Sequence, residues 1–527
     1  MTKTKKNSKG GKVLASGGFG CVFTPALKCK NTNSRENNKV SKLMGTKYAR
    51  EEYDSINNIK RLLEPIKNYE DYFILDANLC EPAKLTESDL VDYNKKCSAL
   101  QKDKITKANI NTKVDKLMIL NLPYGGIPVD DYIYQEDGFD KLYEVHLSLI
   151  SLLKNGIIPM NQQNVYHNDI KDSNVLVEKF PGEEMKTRLI DWGLASEFNY
   201  RIKDIFLTNW RNNPFQYNVP FSSIIFSDFF IKEYVNFINN TKTINVNNIK
   251  VFVENYIDLW NTKRGIGHYE IINRIFYLLY DNKKYDNMSK NKKLDMIKKD
   301  FTIPIIVKYI TSILVRFKNN PSPFDSLRSN QNGNYDSNYD TYNDTDSVTD
   351  SDNDNETNIE FIDVPSLNIS KLSLSEEKEF FRNVPSETVT TTTSFFKGLP
   401  TNVRNKKNKD YNLVKAQLKN YLENIFIKNV DIWGFINCYW SFILVLYEKY
   451  PILKQKEKKL FNHLKVLYTK FLHSTSIKPI NLPKLFIELD KITIIFQEIN
   501  RDPSSYHNIK ISTNNGAGRN KTRKRKH

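Results

Sequence analysis

Residues 165–177 read VYHNDIKDSNVLV, with one His, two Asp, one Lys and two Asn held between apolar runs. That density of ionisable and amide side chains does not fit the interior of a buried helix or strand. It calls for a loop flanked by two buried elements. A plain polar connection meets this constraint, and so does a catalytic loop. Asp169 and Lys171 alternate around Ile170, and Asn174 follows Asp169 by five residues. Seventeen residues after Asn174, LIDWGLA places Asp191 behind an apolar strand and ahead of Gly193. One carboxylate can accept a hydroxyl proton, and Lys171 can neutralise a transferring phosphoryl group. Asn174 and Asp191 supply oxygen ligands suited to Mg2+, a hard cation.

Upstream, VLASGGFGCVF (13–23) sets Ala15, Gly17, Gly18 and Gly20 in a strand–turn–strand pattern. Glycine lets backbone amides approach a polyphosphate with no Cβ in the way. A hairpin alone would also account for it, and no GK[ST] follows to make it a Walker loop. Lys42 lies in the apolar strand NKVSKLM, where it could snorkel from an edge. Ten residues on, Glu52 precedes Ile56 and Ile59 at i+4 and i+7, so its helix face points inward. Glu51 has Ser55 and Asn58 at those offsets and faces out. A Lys held by a Glu beside a Gly-rich loop is a positioned charge for nucleotide phosphates.

Taken in order, these motifs resemble the eukaryotic-type protein kinases, over residues 13–220 and 428–450. The resemblance implies an α+β, bilobal fold: a small β-rich N-terminal lobe and a large helical lobe carrying a long, partly disordered insertion. It implies ATP and Mg2+ as cofactors and protein hydroxyls as substrates. Leu14, Ala15, Ser16, Gly17, Gly18, Phe19, Gly20, Cys21 and Val22 would form the nucleotide loop. Lys42 and Glu52 would be the phosphate-binding pair, and Asn121 and Pro123 the backbone that meets adenine, with Leu120 as gatekeeper. Asp169 and Lys171 would be catalytic, and Asn174 and Asp191 would bind metal. Asp431, in NVDIWGFINCYWSFILVLY, would hold the catalytic loop from below. Lys171 in DIKDSN fits the serine/threonine pattern. The motif flavour is similar to kinases of large nucleocytoplasmic DNA viruses of the mimivirus kind.

Four departures stand out. Ala15 replaces the first glycine, Asn168 the catalytic-loop Arg, and Trp192 the usual Phe, and NVPFSS (218–223) lacks an A-P-E. An Asn cannot clamp an activation-loop phosphate by charge, so activation without such phosphorylation is expected. The departures also leave open a weak pseudokinase that acts as a nucleotide-binding scaffold.

The expected organisation is a basic leader (1–12), N-lobe and hinge (13–124), and first part of the large lobe (125–220). A helical insertion (221–318), an acidic linker (319–410), the rest of the large lobe (411–510) and a basic tail (511–527) follow. Between 13 and 124 the pattern reads as mostly strand, with one helix near 48–63. Asn334–Glu356 holds seven Asp, one Glu and no Lys or Arg, a composition of disorder. The net charge of +17 favours acidic or phosphate-rich partners, and the tail could contact nucleic acid or an import receptor. Five scattered Cys predict free thiols in a reducing, intracellular setting, in host cytoplasm, virion or nucleus. Residues 433–447 are too short an apolar run to span a bilayer, so a core helix and no membrane partner are expected.

Overall fold

The computed structural model describes residues 11–135, 138–179, 182–198, 213–227, 229–279, 285, 287–319, 401–449 and 452–501, with 401–408 as backbone only. The basic leader up to residue 10, most of the acidic linker, residues 199–212 and the basic tail lie outside the described residues. The chain divides into two units, Met1–Pro321 with Leu413–His527, and Ser322–Asn412. All that follows concerns the first, apart from the opening residues of the helix that starts at Thr401.

Its N-terminal part is a five-stranded antiparallel sheet ordered β1-β2-β3-β5-β4. The strands are β1 (Lys12–Ser16), β2 (Gly20–Thr24), β3 (Lys39–Gly45), β4 (Asn78–Cys80) and β5 (Leu117–Pro123). Helix α1 (Thr46–Leu63) packs on one face through Ala49, Ile56, Ile59 and Leu63. Successive strand residues face opposite sides, so Lys42, directly across from Val22 and Leu120, shares their face. Ser41 and Leu43 point the other way.

That other face is not solvated. Residues 81–116 fold over it as α2 (Tyr93–Lys96), α3 (Ser98–Lys102) and short 3-10 turns. Leu90, Tyr93, Cys97 and Leu100 join Val13, Cys21, Phe23, Leu43, Leu117 and Ile119 in one buried cluster. This corrects the strand-like reading of the region. The offsets of Leu90, Tyr93, Cys97 and Leu100 are 3, 4 and 3, a helical period.

Two disulfides staple this cap, Cys21–Cys97 and Cys29–Cys80. They correct the expectation of free thiols for four of the five cysteines; Cys438 is a buried free thiol. The partners are 76 and 51 residues apart in sequence, so only the strand register and the cap's fold bring them together. A third tie is ionic. Arg35 donates to both carboxylate oxygens of Asp89, at 2.7 and 2.8 Å, and Gly11 N adds a bond of 2.8 Å.

The remainder is helix-rich, consistent with the bilobal α+β class. Strands β6 (Ile127–Pro128), β8 (Val175–Glu178) and β9 (Lys186–Leu189) form one small sheet. Strands β7 (Val165–Tyr166) and β10 (Ser196–Glu197) form another. Helices α4 (Val129–Gln135), α5 (Phe139–Ser151) and α6 (Ile158–Gln162) precede the polar loop. After it come α7 (Phe230–Asn240), α8 (Val246–Arg264), α9 (Tyr269–Leu279), α10 (Lys290–Ile297) and α11 (Ile303–Asn319). Then follow α12 (Thr401–Tyr421), α13 (Ile427–Asn437), α14 (Trp440–Glu448), α15 (Gln455–Val466) and α16 (Leu482–Arg501). Lys409–Glu448 is long and apolar enough to cross a membrane, but its apolar window is buried inside the fold.

Burial pushes the Asp89 carboxyl up, but the hydrogen bonds from Arg35 and Thr86 outweigh it and hold the carboxyl below its ordinary value. Its contribution is therefore present above the unfolded value of ~3.9 and lost as pH falls through the lower folded value. Removing one partner of a buried pair typically costs about 3 kcal/mol. Urea unfolding of Asp89→Ala at pH 7 should show that loss, and the gap to wild type should narrow as both are titrated below pH 4.

Candidate active site

The polar loop is held from beneath by one carboxylate. Asp431 on α13 is 1% exposed. Its Oδ2 accepts His167 N at 2.9 Å and Asn161 Nδ2 at 2.8 Å, and its Oδ1 accepts Asn168 N at 2.9 Å. Burial still pushes its carboxyl above the ordinary value. Gly434, one helical turn on, has Ile170 O only 2.6 Å from where a Cβ would sit. The helix thus touches the loop with its backbone. Asn168 takes a left-handed conformation, φ 62°. An Asn tolerates that region better than most residues.

Above this support, Asp169 is gripped at both oxygens. Oδ2 accepts Lys171 Nζ at 2.6 Å and Asn174 Nδ2 at 2.9 Å, while Oδ1 accepts Asn218 Nδ2 at 2.8 Å. Asp172 points away from this group. It accepts from Tyr217 Oη and Ser441 Oγ, and so knits the loop to residues 217–218 and to α14.

The second half of the site follows β9. Ile190 N donates to Asn174 O at 3.0 Å, and Ile190 O meets His167 Nε2 at 3.0 Å. These bonds set Asp191 beside the loop. Asp191 is left-handed, φ 67°, and Trp192 behind it is buried. The Trp192 indole donates to Ile74 O at 3.1 Å, stands edge-on to Phe73 and lies 4.8 Å from the His167 ring. Lys42 Nζ reaches Glu52 at 2.7 and 2.8 Å and Asp191 Oδ1 at 3.6 Å. Lys42 holds the Asp191 carboxyl below its ordinary value, burial opposes this, and Lys171 and His167 reinforce it. For Lys42, burial pulls down, but Asp191 and Glu52 outweigh it and raise the ammonium's value. Both charges are therefore kept. Glu51, by contrast, is exposed beside Lys47.

The Gly-rich turn closes the group from above. Leu14, Ala15 and Ser16 lie on β1, Gly17, Gly18 and Phe19 in the turn, and Gly20, Cys21 and Val22 on β2. Gly17 N bonds Gly20 O at 2.8 Å, which tightens the turn. A Cβ on Gly20 would lie 2.7 Å from Leu43 O, so only glycine fits there. The nearest side-chain atom to a Cβ on Gly17 is Lys42 Cε at 3.8 Å, so turn and lysine are neighbours. Ser16 Oγ accepts Ala99 N at 3.0 Å, and Cys21 is bonded to Cys97. Their side chains serve the cap, and only their backbones can serve a phosphate. Phe19, at the tip, is 60% exposed and stacks on Tyr48 of α1 at 4.8 Å.

Asn121 and Pro123 stand apart from this group. Asn121 is buried on the cap side, where its Oδ1 accepts Ser41 Oγ at 2.5 Å. Pro123 has no N–H and offers a carbonyl only. A reading that needs a backbone donor at this strand end does not find it in Pro123.

Among the described residues no group of three or more His, Cys, Asp or Glu could hold a metal. Asn174 and Asp191 carry an amide and a carboxylate oxygen, ligand types that suit Mg2+, which completes its shell with phosphate and water. Asn174 gives its amide nitrogen to Asp169, which leaves its carbonyl oxygen for such a role. The sequence reading missed Asn161, Tyr217, Asn218, Gly434 and Ser441. The polar pair Tyr217–Asn218 inside the apolar run PFQYNVPF was the visible signal.

No family model matches the chain. Over 80 residues, 15% of its length, the chain is 35% identical to "Calcium-dependent protein kinase 4" of Plasmodium berghei (strain Anka). Over 80 residues it is 34% identical to the protein of the same name from Plasmodium falciparum (isolate 3D7). The match spans 14% of each relative. It supports a protein-kinase relationship.

Truncating Asp431 would strand buried donors, at about 1–3 kcal/mol each. Asp431→Ala should therefore lower the thermal midpoint by several degrees, and hydrogen exchange at the amides of His167 and Asn168 should rise more than in the sheet.

Proposed function

We propose that the chain is a Mg-ATP-dependent protein serine/threonine kinase that transfers the γ-phosphoryl group to protein hydroxyls. The observation that carries the reading is Lys42 bridging Glu52 and Asp191, with Asp169, Lys171 and Asn174 tied to the same strand end through Ile190 and His167. Phosphoryl transfer is largely positioning and charge stabilisation, and this group has the parts for both. The backbone of Gly17–Gly20 would cover the phosphates, and the Lys42 ammonium, fixed by Glu52, would orient them. Asn174 and Asp191 would hold Mg2+, which when bound neutralises phosphate charge. Asp169 would orient and accept the proton of the attacking hydroxyl, and Lys171 would balance charge on the moving group. The serine/threonine preference rests on Lys171 and the DIKDSN pattern. The likeness to kinases of large DNA viruses rests on the sequence motifs alone. Calcium dependence belongs to the names of the Plasmodium relatives and has no counterpart in this reading.

Asn168 supports activity without activation-segment phosphorylation. Its amide donates to Leu194 O at 3.0 Å and to Ser196 Oγ at 3.0 Å. These neutral bonds link the catalytic loop to the residues after Asp191 and need no phosphate. The pseudokinase alternative draws on Ala15, Asn168, the missing A-P-E and the large insertion.

In a radiolabelled ATP assay with a basic protein substrate, Asp169→Ala should cut incorporation by about 10²–10⁴-fold, the usual worth of a general base. Equal incorporation by variant and wild type would favour the scaffold reading. Phosphatase treatment of pure wild-type protein should leave its rate unchanged; loss of activity would sink the claim made for Asn168.

A further inference from the structure

Asn218 lies after residues 199–212 and opens NVPFSS, the stretch that departs from the expected A-P-E. It is 0% exposed. Its Nδ2 donates to Asp169 Oδ1 at 2.8 Å and to Ile170 O at 3.2 Å. The two acceptors fix which end of the amide faces the loop, because a flipped Asn218 would set its oxygen against a carboxylate and a carbonyl. Its Oδ1 is left buried with no hydrogen-bond partner among the described residues. A residue placed for packing would not bury a starved oxygen, since an apolar side chain of the same size avoids that cost. The amide is there for its donor end.

The neighbours show what that end does. Tyr217 O accepts the Trp433 indole at 3.0 Å, and Tyr217 Oη donates to Asp172. The backbone that carries Asn218 is thus pinned to α13 and to the loop itself. Lys171 and Asn174 both pull on Oδ2 of Asp169, from the same side. Without a counter-donor the carboxylate could rotate to give both oxygens to them. Asn218 supplies the opposing bond.

We propose that Asn218 is a positioning residue for phosphoryl transfer: it fixes the rotation of the Asp169 carboxylate, so that the oxygen opposite Lys171 stays aimed at the incoming hydroxyl. This rests on the kinase reading for the identity of the reaction, but the grip on the carboxylate does not. Asn218 acts through Asp169 and touches neither nucleotide nor acceptor.

Three variants separate this role from packing. Asn218→Leu keeps the volume and removes the donor. Asn218→Asp keeps the shape and puts a second acceptor, and charge, against Asp169. Asn218→Thr keeps a donor. A misplaced catalytic group commonly costs about 10²-fold, so Asn218→Asp should lose about that much in kcat and Asn218→Leu nearly as much. KM for Mg-ATP should stay within about twofold of wild type, because Asn218 does not touch the nucleotide. Asn218→Thr should recover most of the rate. Equal losses in all three, or a raised KM for ATP with kcat preserved, would overturn the proposal. Crystal structures of wild type and Asn218→Leu give a reading independent of turnover. The Asp169 carboxylate should turn toward Lys171 in the variant, and an unchanged rotamer overturns the proposal even if the protein is inactive. A wild type that transfers no phosphate, with the rotamer changed as expected in the variant, overturns the kinase reading alone.

Discussion

The site depends on a single buried carboxylate. Asp431 sits in the most apolar stretch of the chain, where an ionised group is costly unless its oxygens are satisfied. Its three donors come from Asn161, His167 and Asn168, which lie around 270 residues away in sequence. Satisfying the carboxylate and shaping the loop are therefore one event. The bonds fix the backbone of His167 and Asn168, which sends Asn168 into its left-handed turn and sets the direction of Asp169. The bare Gly434 lets the helix come close enough for those bonds to form. An alanine there would lift the loop away from the acid that holds it.

The N-terminal sheet solves a different problem, since one face carries Lys42 toward Asp191 and the other must be buried. Strand alternation supplies both. Lys42 and Val22 face the cleft, and Ser41, Leu43, Cys21 and Phe23 face the cap of residues 81–116. Cys21 and Ser16 belong to both worlds, with backbones flanking the Gly-rich turn and side chains committed to the cap. The cap therefore braces the turn from behind, through a disulfide and a hydrogen bond to residues that flank the glycines.

Much of the site could be read from the sequence because its parts are local. Asp169, Lys171 and Asn174 share one loop, and Asp191 ends the next strand. The inward face of Glu52 follows from the periodicity of a single helix. What escaped depends on contacts between distant segments. The cap's helical offsets were present but were hidden by the strand-like flanks. The disulfides needed the cap to exist first, and scattered cysteines without it read as free thiols. Asn121 and Pro123 were assigned for their backbone, and the side chain of Asn121 serves the cap side of the sheet against Ser41. Asn218 had no partner in view, because its acceptor lies 49 residues earlier.

The two asparagines that grip the loop differ from the ion pairs around them. Lys42, Glu52 and Asp191 hold one another by charge, so their geometry responds to whatever cation or phosphate enters the cleft. Asn168 and Asn218 hold by neutral amide donors. The loop that carries Asp169 is thus set by these amides together with the Asp431 carboxylate and the Lys171 ion pair. The exposed tip of the Gly-rich turn, Phe19, leans on Tyr48 of the same helix that presents Glu52. The turn and the glutamate are therefore joined through one helix, α1.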